Sequence, residues 1–159
     1  MKRNLLILFV ILSILFLFTG CGQNQNSTEA QLEAMRQEIE KPYTHVKFGK
    51  YYKNGDKESA YFTLFDDRTL SITGLQDDEI EHEREQVNQS TEFNFDKEYF
   101  KEHLGKRSTF YATFDRDDNT KIELSVSFFK EYGFGLIYHL DYENDIITDY
   151  YGTEYILME

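Results

Sequence analysis

Two aspartate-rich segments are the first candidates for chemistry, because clustered carboxylates bind calcium. Residues 115–119, Asp-Arg-Asp-Asp-Asn, match the opening of an EF-hand loop. The sixth position of that loop is Thr120 where the motif needs glycine, and the twelfth is Val126 where it needs a bidentate glutamate. Residues 141–145 fail in the same way, since Gly152 stands at their twelfth position. Both segments are therefore interpreted as solvated hairpin turns.

The histidines and nucleophiles give no zinc or catalytic pattern. No two histidines have the spacing of zinc ligands on one helix or strand; they are His45, His82, His103 and His139. A nucleophile motif of the Gly-x-Ser-x-Gly type does not occur. We therefore expect no metal, no cofactor and no enzymatic activity.

An acidic run lies in the middle of the chain. Its acids are Asp77, Asp78, Glu79, Glu81, Glu83 and Glu85. Such a run is typical of a solvated loop or helix face. The functional alternative is a docking surface for a cationic protein, because complementary charge speeds encounter.

Tyrosines are concentrated towards the C-terminus. Their amphipathic rings either complete the core and its rim or line a binding pocket. The candidates for ligand contact are Tyr138, Tyr142, Tyr150 and Tyr151.

The composition restricts the class of protein. A chain of 159 residues is long enough for one hydrophobic core, and an aromatic content of 16 % argues against disorder. The formal net charge of −12 disfavours nucleic-acid binding, which needs cations for the phosphates. The single cysteine cannot form an intrachain disulfide. We expect a monomer.

The first twenty-one residues have the organisation of an export signal. Lys2 and Arg3 precede an apolar run over residues 5–18, whose length suits a signal peptide better than a membrane span. Gly20 and Cys21 follow, and the composition then becomes polar. Here the chain resembles bacterial lipoproteins, in which small residues precede a cysteine that receives a diacylglycerol and becomes the mature N-terminus.

That resemblance implies a lipid-anchored protein. Residues 1–20 would be removed as a signal peptide, and Cys21 would carry the diacylglycerol and a further fatty acid such as palmitate. Residues 21–27 are interpreted as the lipidated cysteine and a flexible tether. Two acyl chains anchor a protein stably, so we expect the domain on the extracytoplasmic face of the cell membrane, in a Gram-positive type of envelope.

Helical spacing gives way to strand alternation along the rest of the chain. Residues 28–41 are predicted to form a helix that ends before Pro42. Residues 42–159 are predicted to form a single β-rich domain of about seven or eight short antiparallel strands. One short helix is expected at residues 97–104, with Asp96 as its cap.

The predicted fold class is mainly β, a meander that closes as a small barrel or packs as a sandwich. Gly49-Lys50-Tyr51 is similar to the Gly-x-Trp of lipocalin-like barrels, with Tyr in place of Trp. Residues 61–70 resemble a hairpin of small bacterial lipocalin-like lipoprotein domains. The resemblance implies a barrel and a pocket, without naming a ligand.

Two functions remain open at this point. The first is a non-enzymatic binding module for a small amphiphile or a peptide, which the barrel resemblance favours. The second is an immunity or inhibitor protein that uses its acidic surface against a cationic extracellular protein, which the charge favours.

Overall fold

The computed structural model describes residues 23–159. The predicted signal peptide and Cys21 lie outside the described residues, so the lipoprotein hypothesis stays a prediction. Within the described range, no helix combines the length and the apolar character needed to cross a bilayer. The chain divides between Lys41 and Pro42 into two compact units, which are described separately.

The first unit contains helix α1, Gln23–Glu40. The helix begins earlier than the predicted start at residue 28, so the segment assigned to a flexible tether is helical from Gln23 onward. No glycine or proline interrupts residues 23–27, which explains why the helix extends through them. The apolar stripe expected along this helix is exposed: Leu32, Met35 and Ile39 are 61 %, 62 % and 64 % accessible.

The second unit is a closed barrel of eight antiparallel strands, which confirms the predicted barrel. Each strand pairs with its neighbours in sequence, and the last pairs with the first through Tyr51 and Leu157. A 3-10 turn at Lys41–His45 precedes the barrel. The strands are β1 Gly49–Lys53, β2 Tyr61–Leu64, β3 Thr69–Thr73, β4 Ser108–Phe114, β5 Lys121–Phe129, β6 Phe134–Asp141, β7 Ile146–Thr148 and β8 Glu154–Leu157.

Strand alternation directs large apolar side chains into the barrel. On β5, Ile122, Leu124 and Val126 are fully buried, as the alternating pattern predicts. Phe62 lies edge-on to Tyr138 and Tyr155, with ring centroids 4.8 and 4.4 Å apart. Aromatic and aliphatic side chains therefore occupy much of the barrel interior.

Two helices connect β3 to β4: α2, Asp77–Ser90, and α3, Lys97–Gly105. The predicted helix α3 is confirmed, and the Tyr99 amide donates to the Asp96 side chain at 2.9 Å. The expectation of a single mid-chain helix was wrong, because the acidic run is itself helical. Its capping box joins Gln76 and Glu79, and Ile80 and Val87, two turns apart, are buried.

The barrel wall is incomplete beside β6. This strand pairs with β5 from Phe134 to Asp141, but β7 reaches it only at His139–Asp141. On that side, residues 134–138 have no strand partner in the described part of the chain. The candidate site lies along this unpaired stretch.

Candidate ligand-binding site

An apolar cavity of about 310 Å³ lies between α2, β6 and the β7–β8 loop. Residues 134–138 of β6 form one wall, and Tyr150 and Tyr151 form another. Helix α2 contributes Glu83, Gln86, Val87 and Ser90. The lining is thus mostly aliphatic and aromatic, with a carboxyl, an amide and a hydroxyl on the helix side.

Gly135 allows β6 to form this wall of the cavity. A Cβ at Gly135 would lie 2.3 Å from the carbonyl oxygen of Val126. The β5–β6 register shifts between Val126 and Phe129. Glycine is therefore required for the close approach of the two backbones.

Asp149 fixes the loop that carries the two tyrosines. Its side chain accepts hydrogen bonds from the amides of Tyr151 and Thr153, at 2.9 and 2.8 Å. Asp149 is itself only 9 % exposed, and Gly152 has a positive φ of 82° in the same turn. The turn thereby places the Tyr151 ring against His82, with centroids 4.7 Å apart.

Glu83 is the principal ionisable group in the cavity wall. Burial, together with the nearby charge of Asp149, raises the pKa of Glu83 to about 7, although a hydrogen bond with Tyr151 acts in the opposite direction. Burial and the charges of Glu83 and Asp149 also raise the pKa of Tyr151 to about 12. The tyrosine hydroxyl therefore stays protonated at neutral pH.

A second, more polar depression of about 250 Å³ adjoins the cavity. Glu83 and Tyr151 line both spaces, so they form a shared wall. The depression also contains Glu79 and Asp149, with Lys53 ion-paired to Glu79. Apolar and acidic surfaces thus meet at Glu83 and Tyr151.

The structure brings three of the four predicted tyrosines together. Tyr138, Tyr150 and Tyr151 line the cavity. Tyr142 does not: it packs against His45 with ring centroids 4.6 Å apart, and its hydroxyl donates to the Asn119 carbonyl at 2.8 Å. Tyr142 follows the other end of β6 and does not line this cavity, so its contact with a ligand stays a prediction.

The acids of the predicted docking surface are distributed among different partners. Asp77 pairs with Lys97 and Lys101, at 3.5 and 2.8 Å, and these lysines hold the pKa of Asp77 below its usual range. Glu81 pairs with Arg84.

The remaining acids of the run divide between the interior and the solvent. Glu79 pairs with Lys53, and Glu83 lines the cavity. Asp78 and Glu85 remain exposed. The six acids therefore do not form one free negative face.

A possible metal-ligand cluster lies elsewhere on the barrel. One ligand atom from each of Asp115, Glu123 and His139 falls within 4.8 Å of the others, and all three residues are half-buried. Glu123 and His139 are paired across β5 and β6, while Asp115 Oδ1 accepts from the amides of Asp117 and Asp118. This donor set suits a divalent cation. Sequence spacing did not indicate it, because strand register brings the residues together.

Several cavity residues were absent from the sequence-based candidates, among them Gln86, Val87, Ser90, Phe134, Leu136 and Ile137. Two sequence features could have indicated these residues. Ile80 and Val87 are apolar and seven residues apart, as on one face of a helix, and the glycines Gly133 and Gly135 stand on either side of Phe134.

Comparisons with family models, curated proteins and solved structures found no match to this chain.

Proposed function

We propose that this protein is a membrane-anchored extracytoplasmic binding module, without enzymatic activity, that takes a small amphiphile into the cavity between α2 and β6. The observation that carries this proposal is the composition of the cavity wall, which is apolar except on its α2 side. Sites of this kind obtain affinity from apolar contact and orientation from a few polar groups.

The anchoring part of the proposal depends on the lipobox-like segment at Cys21. Helix α1 supplies the spacing between that residue and the barrel along the chain. Its 18 residues correspond to roughly 27 Å at the usual helical rise. Such a stalk suits a domain that works at the outer surface of a membrane.

The binding function is tested by photolabelling the full chain in lipid nanodiscs. The probe is an octyl diazirine with a hydroxyl head, and its insertion sites are mapped by peptide mass spectrometry. We expect labelling to concentrate on residues 83–90 and 134–138. Tyr150→Ala should lower this labelling by roughly threefold to tenfold, because an aromatic ring contributes to binding mainly through apolar contact.

The matched control is Tyr111→Ala. Tyr111 is 62 % exposed on β4 and does not line the cavity, so its removal should leave labelling unchanged. Labelling spread evenly over the chain, or equal losses in the two variants, would contradict the proposed binding site.

The alternative, an immunity or inhibitor protein for a cationic partner, depends on the overall acidity of the chain. The ion pairs made by Asp77, Glu79 and Glu81 weaken that alternative, because charges already paired within the domain attract a partner less. Pull-down from spent medium at low and high salt tests it, since a charge-driven partner dissociates as salt rises.

A further inference from the structure

We propose that the amphiphile carries a positively charged amine next to its apolar part, and that the Glu83 carboxylate is the counter-ion of that amine. This inference rests on the proposed binding function and specifies the chemical class of the ligand. It commits to a small alkylammonium-like molecule rather than to a fatty acid or an uncharged alcohol.

The position of Glu83 is the first argument. Its side chain lies where the apolar cavity and the acidic depression share a wall. A ligand whose apolar part fills the cavity therefore places its head group at Glu83 and Tyr151. The Tyr151 hydroxyl accepts a hydrogen bond from an ammonium as well as donating one.

The balance of charge at this wall is the second argument. Glu79, Glu83 and Asp149 line the depression, whereas Lys53 is its only lysine or arginine and is already paired with Glu79. Asp149 accepts hydrogen bonds from backbone amides, which bring no positive charge to this wall. An ammonium would offset this excess negative charge, whereas a carboxylate head group would increase the repulsion.

The ionisation of Glu83 is consistent with this assignment. Its pKa is raised by burial and by Asp149, and the hydrogen bond with Tyr151 lowers it only in part. The other groups around it are Glu79 and His82 on α2, Lys53 on β1, Tyr155 on β8, and Tyr138 and Tyr151 across the cavity. A bound ammonium would lower the pKa of Glu83 and release a proton on binding.

The test uses three octyl diazirine probes that differ only in the head group: ammonium, hydroxyl and carboxylate. The full chain is labelled in nanodiscs of zwitterionic lipid, and labelling of residues 83–90 and 134–138 is compared at about pH 8. We expect the ammonium probe to label these residues roughly tenfold more than the hydroxyl probe, because a hydrogen bond between charged groups usually strengthens binding by about that factor. The carboxylate probe should label least.

Glu83→Gln is the decisive variant, because it keeps the shape of the side chain and removes its charge. It should bring the ammonium-to-hydroxyl ratio close to one. The matched control is Glu85→Gln, an exposed acid on the same helix, which should keep the full preference for ammonium.

The possible results separate the two proposals. Equal labelling of the cavity by ammonium and hydroxyl probes, or a preference for carboxylate, would overturn the amine assignment and leave the binding function in place. An ammonium preference that survives Glu83→Gln, or that falls equally in Glu85→Gln, would overturn the role of Glu83. Failure of all three probes to label the cavity would overturn the proposed function itself.

Discussion

The negative charge of Glu83, which we propose as the counter-ion of a ligand, destabilises the folded protein. Its carboxyl is half-buried beside Asp149, and its pKa of about 7 exceeds the value near 4.5 of an unconstrained glutamate. The folded protein therefore holds the Glu83 proton more tightly than the unfolded chain does. The stabilisation from this proton is complete below about pH 4.5 and is lost as the pH rises through 7.

Glu83→Gln should therefore raise the free energy of unfolding at about pH 8, by about 1–3 kcal/mol, and change it little near pH 4. Urea unfolding followed by circular dichroism at the two pH values measures both effects. Glu85→Gln, at an exposed position of the same helix, should have little effect at either pH. A gain of equal size at both pH values would show that ionisation of Glu83 is not its cause.

The helices and strands differ in how clearly the sequence indicates them. Helix α3 has a capping aspartate, Asp96, and apolar residues at helical spacing, so it was predicted closely. Helix α2 buries only Ile80 and Val87, and its acidic surface hides that weak periodicity. Apolar and polar residues alternate clearly along the strands, as in β5. The short connections between most of the strands indicated that consecutive strands pair.

The cavity was harder to predict than the elements around it. It depends on the short pairing of β6 with β7, which leaves residues 134–138 unpaired on the β7 side within the described chain, and sequence alternation does not set the length of that pairing. The concentration of tyrosines in the sequence indicated the region in which the cavity lies but did not separate Tyr142 from Tyr138, Tyr150 and Tyr151. Strand register and the β7–β8 loop decide which of these tyrosines lie beside residues 134–138 of β6.

The close contact between β5 and β6 predicts that one methyl group added at Gly135 destabilises the barrel. Gly135→Ala should destabilise the barrel by about 1–3 kcal/mol, because the new Cβ would overlap the backbone carbonyl of Val126. Differential scanning calorimetry measures the change in melting temperature. Gly105→Ala at the end of α3 is the control, since no atom lies within 4 Å of its Cβ position. Equal melting temperatures for Gly135→Ala and wild type would show that the strands can separate at no cost.

At the scale of the whole molecule, the stabilising contacts are concentrated in the second unit. Every buried core residue of the described chain lies within Pro42–Glu159, as do all eight strands. The apolar side chains of α1 are exposed. Among the side chains that the structure describes, α1 contributes none to the core, so we expect the stability of the fold to reside in the second unit.

A chain that begins at Pro42 should accordingly keep the barrel. We expect its melting temperature to lie within about 3 °C of that of a chain beginning at Gln23, because surface changes away from the core have small effects. Thermal unfolding followed by circular dichroism compares the two chains. A large decrease, or loss of cooperative unfolding, would show that α1 contributes to the stability of the barrel.

Closure of the barrel also sets an order of events during synthesis. The strand that completes the ring, β8, is made after the other seven strands, and it pairs with β1, the first of them. Until β8 emerges, β1 and β7 each present an open edge to which other chains can add. The final step is an encounter between distant parts of the chain, which makes it slow compared with hairpin formation. A nascent chain is thus most vulnerable to aggregation just before β8 appears.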